Sequence, residues 1–463
     1  MALSLGTNGV RAKFDELNPS TAADFAFAFS LFVKKHSKSK RKKVALARDM
    51  RKTSPCLFDA SASGLCEGGV DVLDIGLLPS PVAEWAARKL NADGLIIVTA
   101  SHNPPEYNAL KFVDKEGVAI SRERGAKFNK FLNKPHKPVL KWKEIGKIEK
   151  IPNILQEYEN SVISNIDKKL LLRKPKLKII ADPGNGTTTL IAPKLLRSLG
   201  ADVILINEKL DGSFPGRPSE PNEQNLQDLI EKVKEEKADF GVGWDGDGDR
   251  VTFVDEKGNW INGDKAVAIS AQYALMHEKN AKQKCVVTTS ATSKCVEDVA
   301  LSYGAKIIYT DVGAPYLAEK MHKLRKEAVC GGEEVGGVIW PSFSLAKDGI
   351  FAACKLMEMA CQKPLSKWAD SLPQYFNSKT KVKTEGKKKL QAIQKLKKQI
   401  KGKKEGKLMH LTNGFRLNLK DCWVLVRASG TEEYIRIFAE SRCREEANAL
   451  MNKYKRLVQK CLR

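Results

Sequence analysis

Three aspartates alternate with two glycines in DGDGDR, residues 245 to 250. Like charges packed this closely repel one another, and a divalent cation relieves the repulsion. The glycines allow the chain to curl so that Asp245, Asp247 and Asp249 converge on one ion. Arg250 then stands beside that ion, and a cation with a guanidinium is the clamp expected for a transferring phosphoryl group. A calcium EF-hand is the rival reading, since Glu256 falls at its twelfth position. The sixth position of that loop requires glycine and is Arg250 here, and the flanks ADFGVGW and VTFVD read as strands, so the EF-hand is rejected.

A second loop, TASHNPP at 99 to 105, follows the apolar run LIIV. Its prolines and Asn103 stiffen the chain and present Ser101 at a strand end. Neighbouring Ser and His side chains diverge and no GxSxG elbow is present, which argues against a serine hydrolase. In RASGTEEYIR, 427 to 436, small residues expose successive backbone N–H groups. Ser429 and Thr431 add hydroxyls, and Arg427 and Arg436 add charge. This composition suits a phosphate cradle and equally an ordinary turn between strands. GGEEVGG, 331 to 337, sets two carboxylates between glycines, as a loop for sugar hydroxyls or as a flexible exposed loop. GTNGVR, 6 to 11, presents Arg11 from a turn. An exposed serine, metal carboxylates, Arg250 and a phosphate cradle together describe phosphoryl transfer with Ser101 as the carrier.

Strands alternating with helices must position these loops, which argues for an α/β chain. KVALARD (43–49) and DGLIIVTAS (93–101) read as buried strands, with SPVAEWAARKL (80–90) as a helix between them. A second unit begins near Leu155 and closes with the aspartate loop. A third runs from CVVTTSATSK to the GGEEVGG loop. Their weak similarity suggests three related α/β domains, each with a functional loop after a strand. Beyond about residue 370 a lysine-rich helix, a strand pair around RLNLKDCWVLVRASGTEEYIRIFAES and a terminal helix read as a smaller α+β domain. The expected boundaries are 1–152, 153–256, 257–368 and 369–463.

The 463 residues carry 79 Lys and Arg against 55 Asp and Glu, a formal charge of +24. The excess is local: 13 lysines and two glutamates fall between Lys379 and Lys407. Base stacking wants aromatics and forked base contacts want arginine, and these runs hold little of either. They read as a solvated lysine surface, away from the chemistry, and not as a nucleic-acid site. Within them Leu390, Ile393, Leu396 and Ile400 are spaced to form one buried helical stripe. No run approaches the ~20 apolar residues of a membrane span, and the N-terminus lacks an apolar signal core, so a cytoplasmic protein is expected. Ten scattered cysteines without CxxC pairs argue for reduced thiols and against zinc.

These motifs resemble the α-D-phosphohexomutase superfamily: GTNGVR, ARDMRKTS, TASHNPPEYNALKF, DPGNG, FPGRPSEPN, DGDGDR, TDVG, GGEEVGG and RASGTEEYIR follow its order along nearly the whole chain. The superfamily includes phosphomannomutase, phosphoglucomutase and phosphoglucosamine mutase, and the GGEE form is most similar to archaeal members. The resemblance implies three similar mixed α/β domains around a central cleft plus a smaller C-terminal α+β domain that closes over it. It implies a phosphoserine at Ser101 and Mg²⁺ held by Asp245, Asp247, Asp249 and a phosphoserine oxygen. It implies phosphorylated hexoses as substrates and a hexose 1,6-bisphosphate intermediate. His102 and Arg250 would sit by the reacting phosphate, with Lys111 and Arg11 assisting proton transfer or charge balance. Glu333 would hold sugar hydroxyls, with Thr310, Gly313 and Val335 also at the substrate. Arg427, Ser429, Gly430, Thr431 and Arg436 would hold the phosphate that is not reacting. Two departures stand out: Val335 replaces the serine of the usual sugar loop, and Gly337 replaces the histidine that follows it in many members. A metal-dependent sugar phosphatase with a silent Ser101, and an inactive basic relative that binds nucleic acid, are the competing readings.

Overall fold

The computed structural model describes the chain except residues 1, 2, 4, 7, 8, 121, 133–139, 173–175, 385, 387, 402–405, 430–432 and 463. Three of its four sheets repeat one arrangement. In the first, the buried strand Lys43–Arg48 lies between Asp71–Leu77 and Gly94–Val98, all parallel, and Gly94–Val98 turns back on the antiparallel strand Tyr107–Asp114. In the second, Lys178–Asp182 lies between Asp202–Leu205 and Phe240–Trp244, and Phe240–Trp244 pairs antiparallel with Val251–Asp255. In the third, Cys285–Thr289 lies between Lys306–Thr310 and Ala328–Glu333, and Ala328–Glu333 pairs antiparallel with Gly337–Ile339. The central strands are buried and rich in Val and Ile, as parallel strands covered on both faces must be. Each repeat delivers one loop at the same place, between the two antiparallel partners. Those loops hold Ser101, the three aspartates and the GGEEVGG carboxylates.

One continuous apolar core joins the three units. Tyr158 is its pivot: its ring meets Trp85 and Phe343 edge-on, and its hydroxyl donates to Asp348 at 2.7 Å. Trp244, which precedes the aspartate loop, donates from Nε1 to the carbonyl of Gly349 at 2.9 Å. The loops are thus carried on a single packed body, and interiors packed this densely transmit little slack.

The fourth sheet is antiparallel throughout, ordered Phe376–Lys383, Tyr434–Ser441, Cys422–Ala428, Gly414–Asn418, Lys407–Leu411. The expected strand pair is present, with further strands that the lysine content had hidden. One face packs under the helices Lys388–Lys401 and Arg444–Leu462 through Val424, Val426, Ile435, Ile437, Leu396 and Val458. The other face sets Trp423, Leu425 and Phe438 against Ala291 of the third unit. The buried Arg416 guanidinium fastens this contact. It donates to the carbonyls of Ser290 and Thr292, both at 3.0 Å, and lies over the rings of Trp423 and Tyr309.

Helix Lys388–Lys401 buries Ala392, Ile393, Leu396 and Ile400 but not Leu390, which is 44% exposed. At ~100° per residue, Leu390 lies about a quarter-turn off the centre of that stripe, whereas Lys389 falls on it. Lys389 accordingly reaches inward and donates to the carbonyl of Ser429 at 3.3 Å. The lysine run therefore touches the cradle at its first part, contrary to the expectation that all of it lies away from the chemistry. Among the described residues no helix is long and apolar enough to cross a membrane.

Arg416→Met keeps the length of the side chain and removes the donors. It should destabilise the docked fourth domain by about 3 kcal/mol, because two buried carbonyls lose their partner. Hydrogen exchange of strands 407–428 reads this directly, and unchanged protection there would contradict the assignment.

Candidate active site

Ser101 lies three residues beyond the end of its strand in a left-handed conformation, with φ of +52°, and at 3% exposure it is buried in the cleft wall, not exposed as the sequence suggested. For a non-glycine residue that conformation costs about 1 kcal/mol or more, so surrounding contacts must enforce it. Arg51 does most of this. Wholly buried, it donates to the carbonyls of Ser101, Asn103, Pro104 and Tyr107 at 2.6 to 3.1 Å, and Asp49 balances its charge. The Ser101 N–H donates to Thr99 Oγ1 at 3.0 Å. So fixed, Ser101 Oγ donates to Asp245 Oδ2 at 2.6 Å across the boundary between the first two units. His102 Nδ1 is 3.5 Å from the same Ser101 oxygen.

The two loops approach so closely that position 246 admits no side chain. A Cβ there would lie 2.9 Å from the carbonyl oxygen of Ser101 and 2.8 Å from Ser219 Oγ. Ser219 joins them, accepting from Gly246 N–H at 2.8 Å. The motifs DPGNG and FPGRPSEPN brace the strand beneath. Arg217 pairs with Asp182 at 2.6 Å and donates to the carbonyl of Trp244, next to Asp245, at 2.8 Å. Glu256 accepts from the backbone N–H of Ser366 at 3.1 Å and from its hydroxyl, so it completes no EF-hand.

Ligand oxygens of Asp245, Asp247 and Asp249 lie within 4.8 Å of one another. Lys111 Nζ meets Asp247 at 2.6 Å and Asp249 at 3.3 Å, and Lys347 Nζ meets Asp249 at 3.3 Å. Ser80 donates to Asp247 twice, from N–H to its carbonyl at 2.8 Å and from Oγ to Oδ2 at 2.5 Å. One oxygen on each of two carboxylates, Asp247 Oδ1 and Asp249 Oδ1, is buried without a hydrogen-bond partner. Buried carboxylate oxygens are rarely left so, and an all-oxygen set suits a hard divalent cation. Burial, and then repulsion from Asp247 and Asp249, push Asp245 up to about 8. Burial works the same way on Asp249, but Lys347, Lys111 and Arg250 outweigh it and hold that carboxyl low.

The cations are equally constrained. Burial would lower Lys111, yet Asp247 and Asp249 raise it, so it stays protonated. Arg250 bonds Glu220 at 3.2 Å, and Arg11 donates to Asn103 Oδ1 at 2.6 Å. Burial, followed by the charges of Arg250 and Arg11, presses His102 down to about 2, and its imidazole is neutral. Arg11, Glu84, Ser101, Lys111, Asp249, Arg250 and Lys347 line one cleft. Burial pushes Glu84 up to about 8, against the pull of Lys111.

Glu333 accepts from Lys347 at 2.8 Å, which ties the sugar-loop position to the aspartate loop. The stem of Lys347 also occupies the space beside Gly337, where an added Cβ would fall 2.2 Å from Lys347 Cδ. Position 337 therefore has no room for a side chain while Lys347 lies there. Glu334 accepts from Thr289 at 3.2 Å, and Val335 is half-buried at the loop tip. Thr310 spends its hydroxyl on the carbonyl of Asp311 at 2.9 Å, and Gly313, at φ +135°, caps helix Ala314–Leu324. From the fourth domain Arg427 and Arg436 stand opposite each other on adjacent strands. Burial lowers Arg427, as does the charge of Arg436, against the pull of Glu334, Glu333 and Asp311. Ser429 closes the turn by donating from its N–H to the carbonyl of Tyr434 at 2.9 Å, while Gly430 and Thr431 lie outside the described residues.

The structure therefore brings Arg11, Ser101, His102, Lys111, Asp245, Asp247, Asp249, Arg250 and Glu333 into one cleft, with Arg427 across from it. Sequence reasoning missed Arg51, Ser80, Glu84 and Lys347. Only Arg51 had a signal, the motif ARDMRKTS.

Comparison with known proteins gives the same outline. Family models for phosphoglucomutase/phosphomannomutase alpha/beta/alpha domains I, II and III and for the C-terminal domain match residues 2–137, 156–258, 262–376 and 380–456 in order. The chain is 38% identical to a phosphoglucomutase/phosphomannomutase of Thermococcus kodakarensis, over 100% of both chains. It is 32% identical to a phosphoglucosamine/phosphogalactosamine mutase of Sulfurisphaera tokodaii, over 99% of this chain and 100% of that one. A solved phosphoglucomutase/phosphomannomutase family protein of Burkholderia thailandensis shares the fold. Its TM-score is 0.86 at 24% identity, with 99% of this chain and 97% of that chain covered. The chain belongs to the phosphoglucomutase/phosphomannomutase family of the α-D-phosphohexomutase superfamily and is a hexose-phosphate mutase, an isomerase.

A cation bound by the folded cluster alone stabilises by mass action, about 2.7 kcal/mol at a hundred times its Kd. Mg²⁺ added to chelator-stripped protein should raise the melting temperature, and Asp247→Asn should shrink that rise. A melting temperature indifferent to Mg²⁺ and chelator would count against a metal at these residues.

Proposed function

We propose that this cleft interconverts hexose 1-phosphates and hexose 6-phosphates through a phosphoserine at Ser101 and a hexose 1,6-bisphosphate. The observation that carries the reading is the placement of Ser101 Oγ 2.6 Å from Asp245, beside two buried carboxylate oxygens without partners, in a cleft that Arg427 faces from the fourth domain. The phosphoryl group passes from Ser101 Oγ to the free hydroxyl oxygen of a hexose monophosphate. One P–O bond breaks as another forms, and the proton that the sugar hydroxyl gives up is balanced by the one that the departing Ser101 Oγ takes up. The bisphosphate then exchanges ends, and its original phosphate is transferred to Ser101, which regenerates the phosphoenzyme.

Mg²⁺ held by Asp245, Asp247, Asp249 and an oxygen on Ser101 would supply Lewis-acid stabilisation of charge on the transferring group. Arg250 and Arg11 add positive charge on the cleft wall, where preorganised donors act without reorganisation. Lys111, held protonated by Asp247 and Asp249, balances charge and is not a base in this state. Arg427, Ser429, Gly430, Thr431 and Arg436 hold the phosphate that is not reacting. Both orientations of the sugar use this one distal cradle, so its contacts go to the phosphate.

Glu333, oriented by Lys347, holds sugar hydroxyls. A site that hydrogen-bonds a given hydroxyl rejects its epimer strongly, because a polar group is left unpaired. Val335 offers no such group, and broad sugar use follows. The names of the relatives, which span glucose, mannose, glucosamine and galactosamine, support this breadth.

Ser101→Ala should reduce mutase turnover by orders of magnitude, with the fold intact and bisphosphate present. Intact mass should show one phosphate on the wild-type chain and none on the variant. Turnover near wild type in that variant would remove the carrier role, and release of free phosphate in place of isomer would mark a phosphatase. Coupled assays on the 1-phosphates should give glucose and mannose kcat/KM values within roughly a hundredfold, or about 2.7 kcal/mol. A ten-thousandfold preference would refute the permissive loop.

A further inference from the structure

The lysine-rich run begins on Phe376–Lys383, the edge strand of the fourth sheet, with Lys379, Lys381 and Lys383 exposed. In the ladder with Tyr434–Ser441, Lys381 lies opposite Arg436, which in turn lies opposite Arg427 on the next strand. Residues directly across a sheet share a face. Val382, Ile435, Ile437 and Val426 occupy the core beneath the helices, so the three cations stand on the other face, the one that sets Trp423 and Phe438 against the third unit. They form a single row over three adjacent strands at the usual ~4.8 Å spacing. Lys379 and Lys383 flank Lys381 on the same face, about 7 Å away on either side. The ammonium of Lys381 leans back over the sheet, 5.4 Å from the centre of the Tyr434 ring, and that of Lys379 lies 5.2 Å from the Phe438 ring.

We propose that Lys381, with Lys383 beside it, is a further cationic group of the distal phosphate cradle, and that these edge-strand lysines retain the bisphosphate while it exchanges ends. The inference rests on the mutase reading above. To exchange ends, the bisphosphate must leave the paired arginines. A cation one strand further out gives the departing phosphate a hold on the same row. Lysine fits such a hold, because its ammonium is a mobile point charge, whereas the guanidinium fork favours one fixed geometry.

Enzyme loaded with radiolabelled phosphate on Ser101 is given a single turnover with unlabelled hexose monophosphate. Label is then divided between product monophosphate and bisphosphate free in solution. In Lys381→Gln with Lys383→Gln the free bisphosphate fraction and the KM should each rise roughly fivefold, the scale of two solvent-exposed charge contacts. Lys381→Arg, which keeps the charge but not the mobile point-charge geometry, should restore only part of the retention. A control with Lys388, Lys395, Lys398 and Lys401 changed to Gln on the neighbouring helix should leave the partition unchanged. Wild-type partition and KM in the double variant would overturn the proposal while leaving the mutase reading intact. An equal rise in the control would also overturn it, by showing a general field effect. Failure of wild-type enzyme to pass label from Ser101 to the hexose would instead remove the underlying reading, and this inference with it.

Discussion

The mutual repulsion of three buried carboxylates organises this molecule. Ligand oxygens of Asp245, Asp247 and Asp249 lie within 4.8 Å of one another, and burial, reinforced by that repulsion, pushes Asp245 upward. Lys111 arrives from the first unit, Lys347 from the third and Ser80 from a helix packed between. No single sheet could supply these partners, so the site exists only where three sheets meet. The continuous core that runs through all three units is the mechanical counterpart of that requirement. A cleft that balances several charges over distances near 3 Å tolerates little relative motion of its walls, since interactions in a low-dielectric site change steeply with separation.

The fourth domain obeys a different rule. It has its own core and meets the body through one sheet face that is apolar at one end and cationic at the other. The apolar end and Arg416 fix its position, and the cationic end overhangs the cleft. The split matters because phosphate recognition requires charge, whereas stable docking requires burial, and one strand pair carries both: Trp423, Leu425 and Arg427 alternate down the first, and Phe438 and Arg436 down the second.

The parts of this arrangement written in short contiguous motifs were legible in the sequence. DGDGDR announced a cluster of converging carboxylates and TASHNPP a serine beside it, though that serine is buried and not exposed, and the alternation of buried strands with helices gave the three-unit architecture. What escaped were partners brought in from far along the chain. Lys347 and Glu84 sit in otherwise unremarked helical and loop stretches, and only folding shows that they face Asp249 and Lys111. The strand Phe376–Lys383 was hidden because only Val382 of its residues is buried, and a lysine alternating with Ser, Thr and Val reads as solvated charge. Leu390 failed for a geometric reason, since its spacing from Ile393 places it on the edge of the stripe and not at its centre.

The repeated position of the three loops, between a parallel strand and its antiparallel partner, sets unequal freedom for sequence divergence. The tip at 334–336 is bracketed by ladder pairs on both sides, and its backbone is closely packed: the Val251 N–H donates to the carbonyl of Gly336 at 2.9 Å, and a Cβ on Gly263 would fall 2.4 Å from the carbonyl oxygen of Glu334. The latitude lies in one side chain, that of Val335, which is half-buried at the tip and can be exchanged with both anchoring strands kept in register. The loop at Ser101 has no such latitude. Four carbonyls of this loop and its continuation are bound to the one guanidinium of Arg51, and its backbone touches Gly246 with no room for a methyl group. Lineages built on this scaffold are therefore free to change which sugar they isomerise far more readily than how they move its phosphate.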